Sequence, residues 1–149
     1  MLTMTSAPFA LITLFFLGFV VSSKGVQVDE EKGKAVQERS NQINAAQVRS
    51  FHALAGFYRR FVKNFSTIAA PLTEVMKKHV GFKWGKAQEE AFQAIKNKLI
   101  NPHLLSLLNF EKPFEVECDA SGVGIGALLM QDRRVIAYCS EKLSGATVN

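Results

Sequence analysis

The chain has 149 residues, 48% of them hydrophobic, and a formal net charge of +5. That hydrophobic content excludes wholesale disorder, and the length allows one ordinary domain or two small ones. Two cysteines are too few for a disulfide framework, and no Cys/His cluster has the spacing of a zinc site. Cys118 and Cys139 both fall in strand-like runs, where buried free thiols in a reducing compartment are expected.

The charge is unevenly placed. Residues 48–78 carry Arg49, Arg59, Arg60, Lys63, Lys77 and Lys78 against the single acid Glu74, while basic and acidic groups balance elsewhere. A basic excess confined to one segment suits a polyanion-facing surface; a solvated helix face with no partner is the plainer alternative.

Residues 7–21 form the longest apolar run. No Lys or Arg precedes Lys24, so the basic start of a signal peptide is missing. The run is also shorter than the roughly 20 residues of a membrane-spanning helix. The β-branched and aromatic residues of Phe15–Val21 favour a buried strand. Ser22–Gly25 reads as a turn, Val26 and Val28 as a short strand, and Asp29-Glu30-Glu31 as the acidic start of a helix.

Residues 46–65 have the strongest helical period: Val48, Phe51, Leu54/Ala55, Tyr58, Phe61/Val62 and Phe65 recur at three- and four-residue steps. Arg49, Arg59, Arg60 and Lys63 fall largely off that stripe. Asn64-Phe65-Ser66 is expected to end this helix, and Pro71 to start a second one running to Lys78. A third amphipathic helix is expected over 82–100, with Phe82 and Trp84 before it and Ala91, Phe92, Ile95 and Leu99 on its apolar side; Pro102 ends it. Leu104–Leu108 and Phe110 form an apolar patch.

The last third reads as strands. Phe114, Val116 and Cys118 alternate with Glu115, Glu117 and Asp119, the pattern of a half-buried strand. Gly122, Gly124 and Gly126 permit a tight turn, Ile125, Ala127 and Leu129 resume the alternation, and Asp132-Arg133 turn the chain into a third strand at Val135–Cys139.

Three strings resemble the pol polyprotein of gypsy-type LTR retrotransposons. V-R-S-F-H-A-L-A-G-F-Y-R-R-F-V-K-N-F-S-T-I-A-A-P-L-T resembles the reverse transcriptase thumb, with Ala53 where the family usually has Gly. E-C-D-A-S-G-V-G-I-G-A-L-L-M-Q resembles the opening of the RNase H-like domain. F-L-G-F-V-V-S is similar to the palm hairpin called the primer grip, matched at Leu17, Gly18 and Phe19. The resemblance divides the chain into an unmatched apolar start (1–14), a palm-edge remnant and connection (15–47), thumb-like helices (48–81) and an incomplete RNase H-like domain (82–149). It implies an α+β fold: a helical thumb-like segment followed by an incomplete RNase H-like mixed sheet with a flanking helix.

It also implies roles. Asp119 would be the first of four metal-binding carboxylates that hold Mg²⁺ in the parent enzyme. The other three would lie beyond Asn149, and the polymerase Asp pair would lie upstream, so no stably bound cofactor is expected. Arg49, Arg59, Arg60 and Lys63 would contact phosphates, with Ala53 and Phe57 approaching the duplex. Such contacts give salt-dependent, sequence-independent affinity. For Phe51 and Phe61, core packing is the expected role. The implied activity is RNA-directed DNA synthesis with RNase H cleavage. For this chain the expectation is residual binding of an RNA–DNA hybrid or duplex, with no small-molecule substrate and an intracellular (cytoplasmic or nuclear) location. Two alternatives stand beside it: part of a longer active reverse transcriptase/RNase H, and a small membrane-anchored or secreted protein using its apolar N-terminus.

Overall fold

A computed structural model describes residues 14–16, 18–39, 44–79, 81–101 and 104–143. Leu17 and Pro102 lie outside the described residues. The chain opens with an antiparallel meander of β1 (Leu14–Phe16), β2 (Phe19–Ser22) and β3 (Gly25–Val28). Gly18, at φ +80°, turns β1 into β2, a conformation that a side chain would strain. Asp29 then caps α1 (Glu30–Gln37), its carboxylate accepting from the Glu31 backbone N–H. Gly33 is buried on α1, where a methyl group would stand 3.6 Å from the Leu99 carbonyl of α4.

Asn44 caps α2 (Ala45–Phe57) by accepting from Gln47 N–H at 2.9 Å. The expected helix over 46–65 is broken. α2 ends at Phe57, a short 3₁₀ turn covers Arg59–Phe61, and Asn64 in the left-handed region starts α3 (Phe65–Val75). The apolar rhythm survives because Tyr58, Phe61, Val62 and Phe65 are all buried through the break. Pro71 sits inside α3 rather than at a helix start. α4 (Lys86–Ile100) begins at Gly85, whose N–H donates to Gln88 Oε1, and it closes the helical core with Phe92, Ile95 and Leu99. Phe92 meets Phe51 at a ring-centroid distance of 4.5 Å and Trp84 at 6.0 Å.

The second sheet is an antiparallel meander of β4 (Glu115–Ala120), β5 (Gly124–Gln131) and β6 (Arg134–Lys142). Asp132 and Arg133, at φ 50° and 60°, form the two-residue turn between β5 and β6. One face of this sheet, with Met130 and Ser140 buried, lies against α3 and the 3₁₀ turn. The expected half-burial of the first strand does not occur. Every residue of β4 is exposed, because β4 is an edge strand and the apolar positions Val116 and Cys118 point away from the helices. For the same reason the thiols are not buried: both Cys118 and Cys139, which flank Ala127 in one register row, are exposed.

Two contacts join the sheets. Val26 and Leu105 exchange backbone hydrogen bonds of 2.7 and 2.8 Å, and Ser106 N–H donates to the Val135 carbonyl at 2.6 Å. Within the apolar patch expected at 104–108, Leu105 is buried while Leu104, Leu107 and Leu108 are exposed.

Candidate nucleic-acid interface

The solvent face of α2 carries a definite pattern. Arg49, Ala53, Gly56 and Phe57 follow one another at helical spacing, opposite the buried Val48, Phe51 and Ala55, and Arg60 follows in the 3₁₀ turn. Arg49, Ala53 and Arg60 are exposed, and Phe57 is 49% exposed. A methyl group on Gly56 would meet nothing within 4 Å, so this glycine faces open space. The face thus reads cation, small, small, aromatic, cation. Among the described residues, Arg49, Arg60 and Lys63 have no ion-pair partner.

Gly18 and Phe19 of the first hairpin come to the C-terminal end of this face. Phe19 stacks on Phe57 at 5.3 Å and on Phe61 at 5.5 Å, and meets Tyr58 edge-on at 5.4 Å. Gly18 lies so close to the Tyr58 hydroxyl that a Cβ would be 2.3 Å from it. The two strings far apart in sequence therefore build one aromatic cluster. Phe51 and Phe61 are at most 1% exposed and belong to the core, as expected.

Arg59 differs from the other three cations. Its guanidinium donates to the Ser140 backbone carbonyl of β6 and to Ser66 Oγ at 3.2 Å, and lies over the Phe65 ring at 5.8 Å. Ser66 N–H in turn donates to Ser140 Oγ at 2.9 Å. This clasp fixes the helical segment against the second sheet. Ser66 and Ser140 stand 74 positions apart, and nothing in their spacing announces the pairing.

Asp119 is exposed on β4, opposite Gly126 in the register. It lines a small cleft of about 100 Å³ with Glu117, Lys63, Asn64 and Tyr138. A Cβ at Gly126 would be 2.1 Å from Asn64 Oδ1, so the absence of a side chain lets the 63–64 loop rest on the sheet beside Asp119. RNase H chemistry needs carboxylates clustered around two divalent cations. Among the described residues no three His, Cys, Asp or Glu side chains come together as a metal-binding group. The described residues alone do not complete a two-metal centre.

Electrostatic strain is modest. Burial, then the nearby Arg59 charge, holds His52 below its ordinary pKa. Hydrogen bonds from Lys142 and then Lys77 lower Glu74 to about 2. No described helix is long and apolar enough to cross a membrane.

Residues 84–149 match the RNase H-like domain found in reverse transcriptase. Over 140 residues the chain is 40% identical to the retrovirus-related Pol polyprotein from transposon gypsy of Drosophila melanogaster, covering 86% of this chain and 14% of that one. It is 35% identical to the Pol polyprotein from transposon 412 of the same organism, over 90% of this chain and 11% of that one. The transposon Tf2-3 polyprotein of Schizosaccharomyces pombe is 32% identical over 90% of this chain and 10% of its own. The fold superposes on a foamy viral protease-reverse transcriptase solved with double-stranded DNA and with an RNA/DNA hybrid. The TM-score is 0.79 at 25% identity over 89% of this chain, and 29% and 19% of the two solved chains are covered. The chain therefore spans about a seventh or less of the curated relatives it matches. An RNase H-like sheet, the helices before it and the Pol polyproteins that share both place this chain in the gypsy-type retrotransposon Pol family, within its reverse transcriptase and RNase H-like region.

Proposed function

We propose that this chain supplies a nucleic-acid duplex grip of a retrotransposon reverse transcriptase, with the exposed face of α2 as the contact. The observation that carries the reading is the run Arg49, Ala53, Gly56, Phe57 on the open face of α2, continued by the exposed Arg60 in the 3₁₀ turn that follows. Small residues let a helix backbone come close to a groove, an exposed ring packs on sugars, and flanking cations hold phosphates. Lys63 extends the basic edge toward Asp119. Arg59 acts indirectly, by fixing the helical segment to β6. The structurally similar foamy viral enzyme was solved holding double-stranded DNA and RNA/DNA hybrid, which supports the same partner class here.

The parent reaction, RNA-directed DNA synthesis with hybrid cleavage, belongs to the longer polyprotein. In this chain Asp119 is the candidate first metal carboxylate, and it needs further carboxylates to hold Mg²⁺. Fluorescence anisotropy with a labelled RNA–DNA hybrid tests the grip. Binding should weaken with salt, and changing Arg49, Arg60 and Lys63 to Gln should flatten the log–log salt slope by roughly 0.9 per lost contact. Salt-insensitive binding, or an unchanged slope in the triple variant, would remove the reading.

A further inference from the structure

A second basic site lies away from α2, where the two sheets meet. A cleft of about 380 Å³ is lined by Lys24, Leu104, Ser106, Arg134, Val135 and Tyr138. These residues come from three separate parts of the chain: the β2–β3 turn, the segment after α4, and β6. None of the lining residues is acidic. Lys24 and Arg134 are exposed and make no ion pair with a described residue. Asp132 of the β5–β6 turn is engaged by Lys112 at 2.5 Å.

The walls are held by backbone rather than by side chains. Val26 and Leu105 exchange two hydrogen bonds, and Ser106 N–H reaches the Val135 carbonyl. Gly25, at φ +139°, allows the contact, since a Cβ there would stand 2.1 Å from the Leu105 carbonyl oxygen. The hairpin carrying Lys24 is thus pinned to the strand carrying Arg134 through Leu105 and Ser106. The backbone that carries the two cations is therefore held in place, while their side chains stay exposed.

We propose that this cleft binds a nucleotide unit. Lys24 and Arg134 take the phosphoryl group, the Ser106 hydroxyl completes its hydrogen bonds, and the base lies on the wall of Leu104, Val135 and Tyr138. Arg offers a planar fork for phosphate oxygens and Lys a mobile point charge. The remaining wall is apolar and aromatic, which suits a base and gives a bare phosphate nothing to pack on. The volume fits a small-ligand cleft. The phosphoryl group can come from a strand of nucleic acid or from a free nucleotide. Tyr138 also lines the cleft that holds Lys63 and Asp119, so the two clefts share one wall residue.

The test uses the whole chain and AMP, followed by ligand-observed NMR, with inorganic phosphate as control. AMP should bind more tightly than phosphate. The double variant Lys24→Gln/Arg134→Gln should lose roughly tenfold per charge-assisted hydrogen bond removed. The Arg49/Arg60/Lys63 triple variant should bind AMP as the wild type does, which separates this site from the α2 grip. Equal binding of AMP by wild type and double variant, no AMP binding at all, or equal affinity for AMP and phosphate would each overturn the proposal. With AMP binding lost in the double variant, a parallel loss of hybrid affinity assigns the cleft to a nucleic-acid strand, and unchanged hybrid affinity assigns it to a free nucleotide.

Discussion

The ring of Phe19 stacks on that of Phe57 with centroids 5.3 Å apart and planes 24° apart, joining the first hairpin to the exposed face of α2. The two rings differ in what surrounds them. Phe19 is half-buried against Tyr58 and Phe61, while Phe57 is 49% exposed. Phe19→Ala should therefore cost about 2 kcal/mol of stability in urea denaturation. Phe57→Ala should cost about 1 kcal/mol, clearly less than Phe19→Ala, yet weaken hybrid binding measured by anisotropy. Equal stability losses would mean that Phe57 is merely core.

Gly56 separates stability from binding in the opposite direction. A methyl group there meets nothing in the protein, and Ala favours the helix over Gly. Gly56→Ala should raise stability by about 0.5–1 kcal/mol. The same methyl group would project into a duplex lying on α2, so hybrid affinity should fall. A variant that is both more stable and equally tight would show that the groove does not approach this turn.

Arg59 and Arg60 are neighbours with different work. Arg59→Ala removes the donors to the Ser140 carbonyl and Ser66, and should destabilise by about 2 kcal/mol, with faster amide hydrogen exchange along β6. Arg60→Ala should change stability by no more than about 0.5 kcal/mol and act on hybrid affinity instead. Thermal unfolding together with exchange measured by mass spectrometry distinguishes the two.

Acid should weaken the fold in two windows. The His52 pKa is lowered in the folded state, so its neutral form is favoured there, and stability is lost as pH falls below the ordinary value of 6.5. The Glu74 pKa is lowered to about 2, so its contribution is present above the ordinary value of 4.5 and is lost between there and about 2. Glu74 sits at the join of α3 and β6, paired with Lys142 at 2.7 Å. Glu74→Gln should flatten the lower window and leave the upper one. NMR titration of the two side chains locates both.

The helices and strands of this fold were largely legible, because their apolar periods are clean. Val48, Phe51, Ala55 and Tyr58 lie buried where the spacing put them, and Asp132-Arg133 turn where expected. The break between α2 and α3 was not legible, since the buried stripe continues through the 3₁₀ turn and hides the change of axis. Pro71 misled because the α3 core of Leu72 and Val75 holds the helix despite its missing N–H. Alternation in β4 announced a strand correctly but not its exposure, which depends on what covers the sheet. The candidate site was half visible. Arg49, Ala53 and Phe57 follow from the resemblance to the thumb, while Gly56 becomes informative only once its open surroundings are known. The clasp of Arg59, Ser66 and Ser140 is a long-range contact with no local mark.

The edge formed by β4 has a consequence for the behaviour of the protein in solution. Among the described residues no strand pairs with its outer edge, yet Glu115, Glu117 and Asp119 stand at alternate positions along it. A second copy approaching that edge would bring its own three carboxylates into the same narrow space, and like charges facing one another across a new strand pair repel. The carboxylates thus act as a built-in guard against fibril-like stacking along that edge.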